Sequence, residues 1–160
     1  IIIPRHINRV QKIYKKILNL NLKICLYSEL NNLDEKTDII IVDSYGEAAK
    51  LYEISKCVLL GKSLVNSLKN DSGQNPIEAA RLGCAIFHGP HVSNFFDIYE
   101  YLKSLKVTKE VATTEALCKS LVEELKNNKK YNQENVEKIE KYGQDTFNNV
   151  LNEIKIYINT

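Results

Sequence analysis

The sequence lacks several features that would set its class at once. It contains no uninterrupted apolar run of the roughly 18 residues needed to span a membrane, and no basic-then-apolar leader with a small-residue cleavage site. We therefore expect a soluble segment. The 22 basic and 20 acidic side chains nearly balance, which by itself does not indicate a nucleic-acid partner, since such binding needs a clustered basic face, and we predict none.

Cysteine is present, but never at metal-binding or redox spacing. No C-x-x-C pair occurs, and each thiol lies in an apolar run, which predicts reduced, buried cysteines in a cytoplasmic protein. These residues are Cys25, Cys57, Cys84 and Cys118. The three histidines do not share one element at ligand spacing, so we predict no metal and no cofactor.

The length of 160 residues suits one domain, residues 1–160, with an ordinary globular composition of 44% hydrophobic and 26% charged residues. The chain opens on Ile1 within an apolar run and contains no methionine. We therefore expect it to be a piece of a longer protein.

Short β-branched runs alternate with helical patterns, which predicts parallel strands joined by crossover helices. Several of the runs are apolar throughout, as in strands covered on both faces. The expected fold is α/β, a Rossmann-like parallel six-stranded sheet with helices on both faces. The predicted strands are Ile1–Ile3, Ile24–Tyr27, Ile39–Val42, Cys57–Leu60, Cys84–Phe87 and Val107–Val111.

Apolar residues at helical spacing predict helices between these strands. They cover about residues 10–18, 46–54, a helix from Asn75-Pro76, and 94–105. A further helix should present Leu117, Cys118, Leu121, Val122 and Leu125 to the core. Residues 31–38 form a predicted polar loop, and 127–135 a connection or exposed helix start. A last amphipathic helix shows one apolar face, made of Phe147, Val150, Leu151, Ile154 and Ile158.

Ligands of such sheets bind beyond the carboxyl ends of the strands, so the residues that follow each strand should crowd one rim. These segments are Pro4-Arg5-His6, Asp43-Ser44-Tyr45-Gly46-Glu47, Gly61-Lys62-Ser63, Asn75-Pro76-Ile77-Glu78 and His88-Gly89-Pro90-His91. Gly61-Lys62-Ser63 is not a phosphate loop, because that motif needs a glycine where Lys56 stands. No Ser-His-Asp or Cys-His set occurs at recognisable spacing.

Asn75-Pro76-Ile77-Glu78 is a helix start with a capping side chain, a proline and a carboxylate. It serves either as a cap alone or as a nucleotide contact, with free amides for a phosphate and Glu78 for ribose hydroxyls. A helix terminus contributes about 0.3–1 kcal/mol, and a charged hydrogen bond about 1.5–3 kcal/mol. Arg5 should therefore dominate phosphate recognition.

Taken in order, the rim segments, with Leu64-Val65, Gln74 and Asn94-Phe95 beside them, resemble the C-terminal domain of the 3-deoxy-D-manno-octulosonic acid (Kdo) transferases. The resemblance runs from residue 1 to about Leu125. It implies half of a two-domain GT-B glycosyltransferase, inverting and metal-independent, which moves Kdo from CMP-Kdo to a lipid A precursor in lipopolysaccharide biosynthesis. The general base and the acceptor site would belong to an N-terminal domain absent from this chain.

The resemblance also implies the site and the location. The nucleotide would be held by Pro4, Arg5, Tyr45, Gly46, Glu47, Asn75, Pro76, Ile77 and Glu78. Arg5 would also stabilise the leaving phosphate, and Ser63 would border the donor sugar. Lys62 is either a further contact to the Kdo carboxylate or an exposed loop lysine. The intact enzyme would work at the cytoplasmic face of the bacterial inner membrane.

The sequence departs from the family pattern at two places. The family usually has a second glycine where Lys62 stands, and a shorter Gly-Gly-His loop in place of Asp71-Ser72-Gly73-Gln74. Two alternatives stay open. One is a GT-B donor domain for a UDP-sugar, and the other is a non-enzymatic α/β interaction module that binds through its last helix.

Overall fold

The computed structural model describes residues 1–30, 36–68, 70, 72–126 and 133–158. The chain divides into two compact units, Ile1–Leu51 and Tyr52–Thr160. The predicted loop at 31–38 and the polar stretch at 127–135 lie largely outside the described residues.

The first unit is a small parallel sheet with a helix. Helix α1 spans Val10–Ile17, and strands β1 (Ile24–Leu26) and β2 (Ile39–Ile41) pair in parallel. Ile2 adds a parallel bridge on the other edge of β2, where its amide donates to the Ile40 carbonyl at 2.8 Å. Helix α2, Ala48–Glu53, follows β2.

The second unit holds a three-stranded parallel sheet in the order β3-β4-β5. Its strands are β3 (Cys57–Leu59), β4 (Ala85–His88) and β5 (Thr108–Glu110). Its helices are α3 (Ile77–Arg81), α4 (Phe96–Ser104), α5 (Thr114–Lys126) and α6 (Gln133–Ile158).

Two clusters of buried apolar residues organise the second unit. Helix α3 packs against α6, which buries Val136 and Ile139 in its first turns. The central strand β4 is buried along most of its length, as expected for a parallel strand with neighbours on both sides. The main cluster contains Leu60, Ala79, Ala80, Cys84, Ile86, Val92, Tyr99, Leu102 and Ile139.

The α/β class with parallel strands is confirmed, but a single six-stranded sheet is not found: the described residues form five strands in two sheets. The predicted strand Ile1–Ile3 is reduced to the bridge at Ile2. In a parallel ladder the next amide to donate after that of Ile2 belongs to residue 4. Proline has no N–H, so Pro4 ends the ladder after one bridge.

Two predictions about buried side chains were wrong. Cys84 is buried, and Cys25 and Cys57 are half-buried, but Cys118 is exposed. Burial raises the pKa of the Cys84 thiol to about 11.

In α5 the buried side is made by Leu117 and Ser120, with Leu121 packed beside them. At about 100° per residue, Cys118, Val122 and Leu125 fall on one flank of that side. Val122 and Leu125 are therefore about half exposed rather than buried. Ser120 takes a core position that the apolar pattern did not indicate.

The last helix presents its predicted apolar face to solvent. Of that face, Leu151 is half-buried, and the exposed side chains are Phe147, Val150, Ile154 and Ile158. None of the helices in the described ranges is both long enough and apolar enough to cross a membrane.

Candidate functional site

At the carboxyl edge of the first unit's sheet, the residues that follow its strands come together. Ser28, just beyond β1, donates its amide to Asp43 Oδ1 at 3.0 Å and its hydroxyl to Asp43 Oδ2 at 2.5 Å. Asp43 itself stands just beyond β2. The hydroxyl hydrogen bond of Ser28 lowers the pKa of the Asp43 carboxyl, so this carboxylate is ionised at neutral pH.

The turn after β2 fixes a second carboxylate. Gly46 has φ +87°, in the left-handed region that glycine enters without steric strain. Glu47 follows, and its Oε2 accepts hydrogen bonds from the Tyr27 hydroxyl at 3.3 Å and the Lys50 ammonium at 3.1 Å. The contact with Glu47 raises the pKa of Lys50. Glu47 is thus oriented from two sides, while Tyr45 is 72% exposed.

Arg5 lies beyond the bridge that Ile2 makes with Ile41. Because that bridge is parallel, Pro4 and Arg5 leave the sheet at the same edge as the segment after β2. Pro4 is half-buried and Arg5 is exposed. Within the described parts of the chain, the Arg5 guanidinium makes no hydrogen bond or ion pair. Its donors are therefore available to an anion.

In the second unit, Ser63 joins the loops that follow β3 and β4. Its fully buried hydroxyl donates to the Leu60 carbonyl at 2.7 Å and accepts the Gly89 amide at 2.9 Å. The Ser63 carbonyl in turn accepts the His91 amide at 3.0 Å. A Cβ at position 89 would lie 2.2 Å from the Ser63 carbonyl oxygen, so only glycine allows this approach.

A second set of contacts joins the same two loops further along. The buried Ser72 hydroxyl accepts the Ser93 amide at 3.2 Å, and the Tyr99 hydroxyl donates to the Gln74 carbonyl at 3.0 Å. Lys62, the residue before Ser63, has φ +65°, and its carbonyl accepts a hydrogen bond from the Gly73 amide at 3.2 Å. This non-glycine residue is held in a left-handed conformation by the loop around it.

The predicted cap at α3 is present. Asn75 Oδ1 accepts the Ile77 amide at 3.0 Å, and Pro76 has helical angles of φ −86° and ψ −9°. Asn75 thus caps the first amide of α3, and Pro76 precedes the helix with angles that are already helical. Pro76 is buried, whereas Asn75 and Glu78 are exposed, so both polar side chains can meet a ligand.

A cleft of about 240 Å³ opens at the carboxyl ends of β4 and β5. It is lined by His88, Pro90, His91, Val92, Ser93, Phe96, Tyr99, Glu100, Lys103 and Glu110. His88 is buried, with its ring 4.4 Å from that of Tyr99 and its Nδ1–H donated to the Gly89 carbonyl at 2.7 Å. Burial lowers the pKa of His88. None of the residues predicted to hold a nucleotide lines this cleft.

The rim predicted from the sequence comprises residues of both units, and that they form one site stays a prediction. Tyr27 and Ser28 were missed as partners of that rim. Both follow β1 directly, and the rule that directed attention to the ends of the other strands would have found them.

The α/β fold is similar to that of one solved domain. The solved C-terminal CMP-Kdo binding domain of WaaA from Acinetobacter baumannii superposes with a TM-score of 0.75, at 23% sequence identity, over 86% of this chain and 72% of that one.

The chain is also similar in sequence to curated glycosyltransferases. A bifunctional glycosyltransferase/methyltransferase of Fusobacterium nucleatum is 33% identical over 136 residues, 84% of this chain. A probable mitochondrial 3-deoxy-D-manno-octulosonic acid transferase of Arabidopsis thaliana is 32% identical over 120 residues, 74% of this chain. The resemblance to the Kdo transferases is therefore confirmed.

The chain spans only 20% of the length of the first relative and 26% of the second. No protein-family model matches it. The activities named for these relatives therefore belong to chains much longer than these 160 residues.

The contact between Gly89 and Ser63 predicts that Gly89→Ala destabilises the protein. The added methyl group must displace main-chain atoms of the neighbouring loop, which should lower the free energy of unfolding by about 3 kcal/mol. Urea denaturation measures this change. Gly143→Ala is the matched control, since a Cβ there meets nothing within 4 Å and alanine favours a helix by about 1 kcal/mol. Equal effects of the two substitutions would contradict the close approach.

The left-handed φ of Lys62 predicts that Lys62→Gly stabilises the protein. A side chain in that region costs about 1–2 kcal/mol, partly offset by the greater unfolded-state entropy of glycine, so we expect a gain of about 0.5–1 kcal/mol. The midpoint of urea denaturation should rise. Lys119→Gly in α5 is the control and should lower stability by about 1 kcal/mol. A loss of stability in Lys62→Gly would show that this loop does not strain residue 62.

Proposed function

We propose that this chain is the donor-binding domain of a Kdo transferase and that it binds CMP-Kdo. The proposal rests on the agreement between a sequence similarity and a structural similarity. The sequence is similar to Kdo transferases over most of its length, and the fold is that of a CMP-Kdo binding domain. That residues 1–160 make up one donor domain is part of the proposal.

The proposed phosphate ligand is Arg5. Its guanidinium is exposed and unpaired among the described residues, at the carboxyl edge of a parallel sheet. The proposed ribose and base contacts are Tyr45, Gly46 and Glu47 in the first unit. Those in the second unit are Asn75, Pro76, Ile77 and Glu78. Helix α3 has only five residues, so its dipole contributes little beside the full charge of Arg5.

Glu47 suits a hydroxyl ligand. Its carboxylate is already oriented by Tyr27 and Lys50, and its side chain is 20% exposed. A carboxylate held in this way accepts a ribose hydroxyl without losing much side-chain freedom on binding. Lys62 and Ser63 are proposed to border the donor sugar. Because the Ser63 hydroxyl is engaged on both sides, its part is to fix the loop that carries Lys62.

The proposed reaction is an inverting, metal-independent displacement. A hydroxyl of a lipid A precursor attacks the anomeric carbon of Kdo while the bond from that carbon to the CMP phosphate oxygen breaks. A general base outside this chain takes the hydroxyl proton, and CMP leaves with the bond's electron pair. Arg5 stabilises the charge that develops on the departing phosphate. The acceptor and the base belong to an N-terminal half of a GT-B enzyme working at the inner membrane.

The nucleotide test is a titration of the 160-residue chain with CMP and with UMP, followed by amide chemical shifts. CMP should bind more tightly than UMP, because the proposed donor carries cytidine. Shifts should concentrate at residues 45–47 and 75–78. A preference for UMP would instead support a UDP-sugar donor. If neither nucleotide moves any resonance at millimolar concentration, the exposed apolar face of α6 favours the interaction-module alternative.

Arg5→Ala should weaken CMP binding about 10- to 100-fold, which is the equilibrium equivalent of one charged hydrogen-bonding group. Isothermal titration calorimetry measures the change. Arg9→Ala is the matched control, since Arg9 is also an exposed arginine of the same segment but is not among the residues proposed to hold the nucleotide. Equal affinities of Arg5→Ala and the unmodified chain would remove Arg5 from the proposed site.

A further inference from the structure

The basic and acidic residues are unevenly distributed along the chain. The first 28 residues contain no aspartate or glutamate, and the first acidic residue is Glu29. The same stretch has a formal charge of +6, so the other residues together carry −4 against the net +2 of the whole chain. Its six cations are Arg5, Arg9, Lys12, Lys15, Lys16 and Lys23.

Helix α1 separates its lysines from its apolar residues. Val10 is buried and Ile13, Tyr14 and Ile17 are half-buried, so this face packs on the first unit. The lysines are exposed on the opposite face, where Lys12, Lys15 and Lys16 line a shallow surface groove with Asn8 and Gln11. Within the described residues, none of these three lysines has a carboxylate partner.

Exposed leucines follow the lysines along the chain, just beyond the carboxyl end of α1. Leu18 and Leu20 belong to the 3-10 turn Leu18–Leu20 that follows the helix, and Leu22 lies shortly after that turn. Leu18, Leu20 and Leu22 are 49%, 56% and 42% exposed. Unpaired lysines thus adjoin three leucines in contact with water.

We propose that this basic–leucine surface, formed by Lys12, Lys15, Lys16, Leu18, Leu20 and Leu22, docks on an anionic lipid surface. The lysines complement anionic headgroups, and the leucines can enter the boundary between headgroups and acyl chains. The leucines distinguish this partner from a nucleic acid, whose backbone offers charge but no apolar layer. The surface contains none of the proposed nucleotide ligands, so the proposal stands apart from the donor assignment.

The test is co-sedimentation of the 160-residue chain with vesicles of phosphatidylcholine alone and of phosphatidylcholine with phosphatidylglycerol at 3:1. Binding should need the anionic lipid and weaken at high salt. The triple variant Lys12→Gln, Lys15→Gln, Lys16→Gln should bind about 100-fold more weakly, at about fivefold per lysine. The triple variant Leu18→Ser, Leu20→Ser, Leu22→Ser should bind at least tenfold more weakly. CMP affinity should be unchanged in the lysine variant.

The matched control replaces Lys119, Lys141 and Lys155 by glutamine, which removes the same charge from exposed helix positions elsewhere. It should retain nearly full vesicle binding. Equal loss in the control and in the lysine variant would overturn the proposal, because net charge alone would then explain binding. It would also be overturned if the lysine variant kept its vesicle affinity, or lost affinity for a single-stranded RNA oligonucleotide and not for vesicles. The lysine variant decides the question even if the leucine variant does not fold.

Discussion

The buried hydroxyl of Ser63 links two loops that carry many of the features described in the second unit. It donates to one main-chain group and accepts from another, so both of its hydrogen-bonding directions are used inside the protein. A buried hydroxyl with one partner removed would be left unsatisfied, at a cost of about 1–3 kcal/mol. Glycine at position 89 lets the loops approach closely enough for the contact.

The same constraint explains how polar loops can be ordered at the end of a small sheet. Loops usually remain at the surface because their main-chain groups need hydrogen-bond partners. Here Ser63, Ser72 and the Tyr99 hydroxyl supply partners from within the loops and from α4. In the first unit, charged side chains order the corresponding segment. Neighbouring hydroxyls and a lysine fix the carboxylates of Asp43 and Glu47. Each unit thus holds polar groups in fixed positions near the carboxyl ends of its strands.

Much of the fold followed from the sequence because hydrophobic periodicity is a local signal. Helix α1 and the five described strands lie within a residue or two of their predicted positions, and the cap at Asn75 forms as expected. Pairing is not local. The predicted strand Ile1–Ile3 is reduced to one bridge because Pro4 occupies the position where the next amide would donate to the neighbouring strand. That Ser120 is buried in place of Cys118 depends on the rotation of α5 against β3.

The candidate site was predictable to a similar degree. The rule that ligands meet the carboxyl ends of strands selected Arg5, Glu47 and the α3 cap from sequence order alone. It could not show that the Ser63 hydroxyl points inward, because the amide that it accepts belongs to a residue 26 positions later. Nor could it show that Tyr27 orients Glu47, a contact that exists only once β1 and β2 are paired.

Lys62 shows that a left-handed main-chain conformation does not require glycine. Lys62 has φ +65°, so the chain keeps a left-handed bend at a residue whose side chain disfavours it. The bend is therefore maintained by the hydrogen bonds of the surrounding loop, such as the one that the Gly73 amide donates to the Lys62 carbonyl. The shape of this loop thus depends on a partner distant in sequence, so a motif that requires glycine at the bend would overlook loops of the same form.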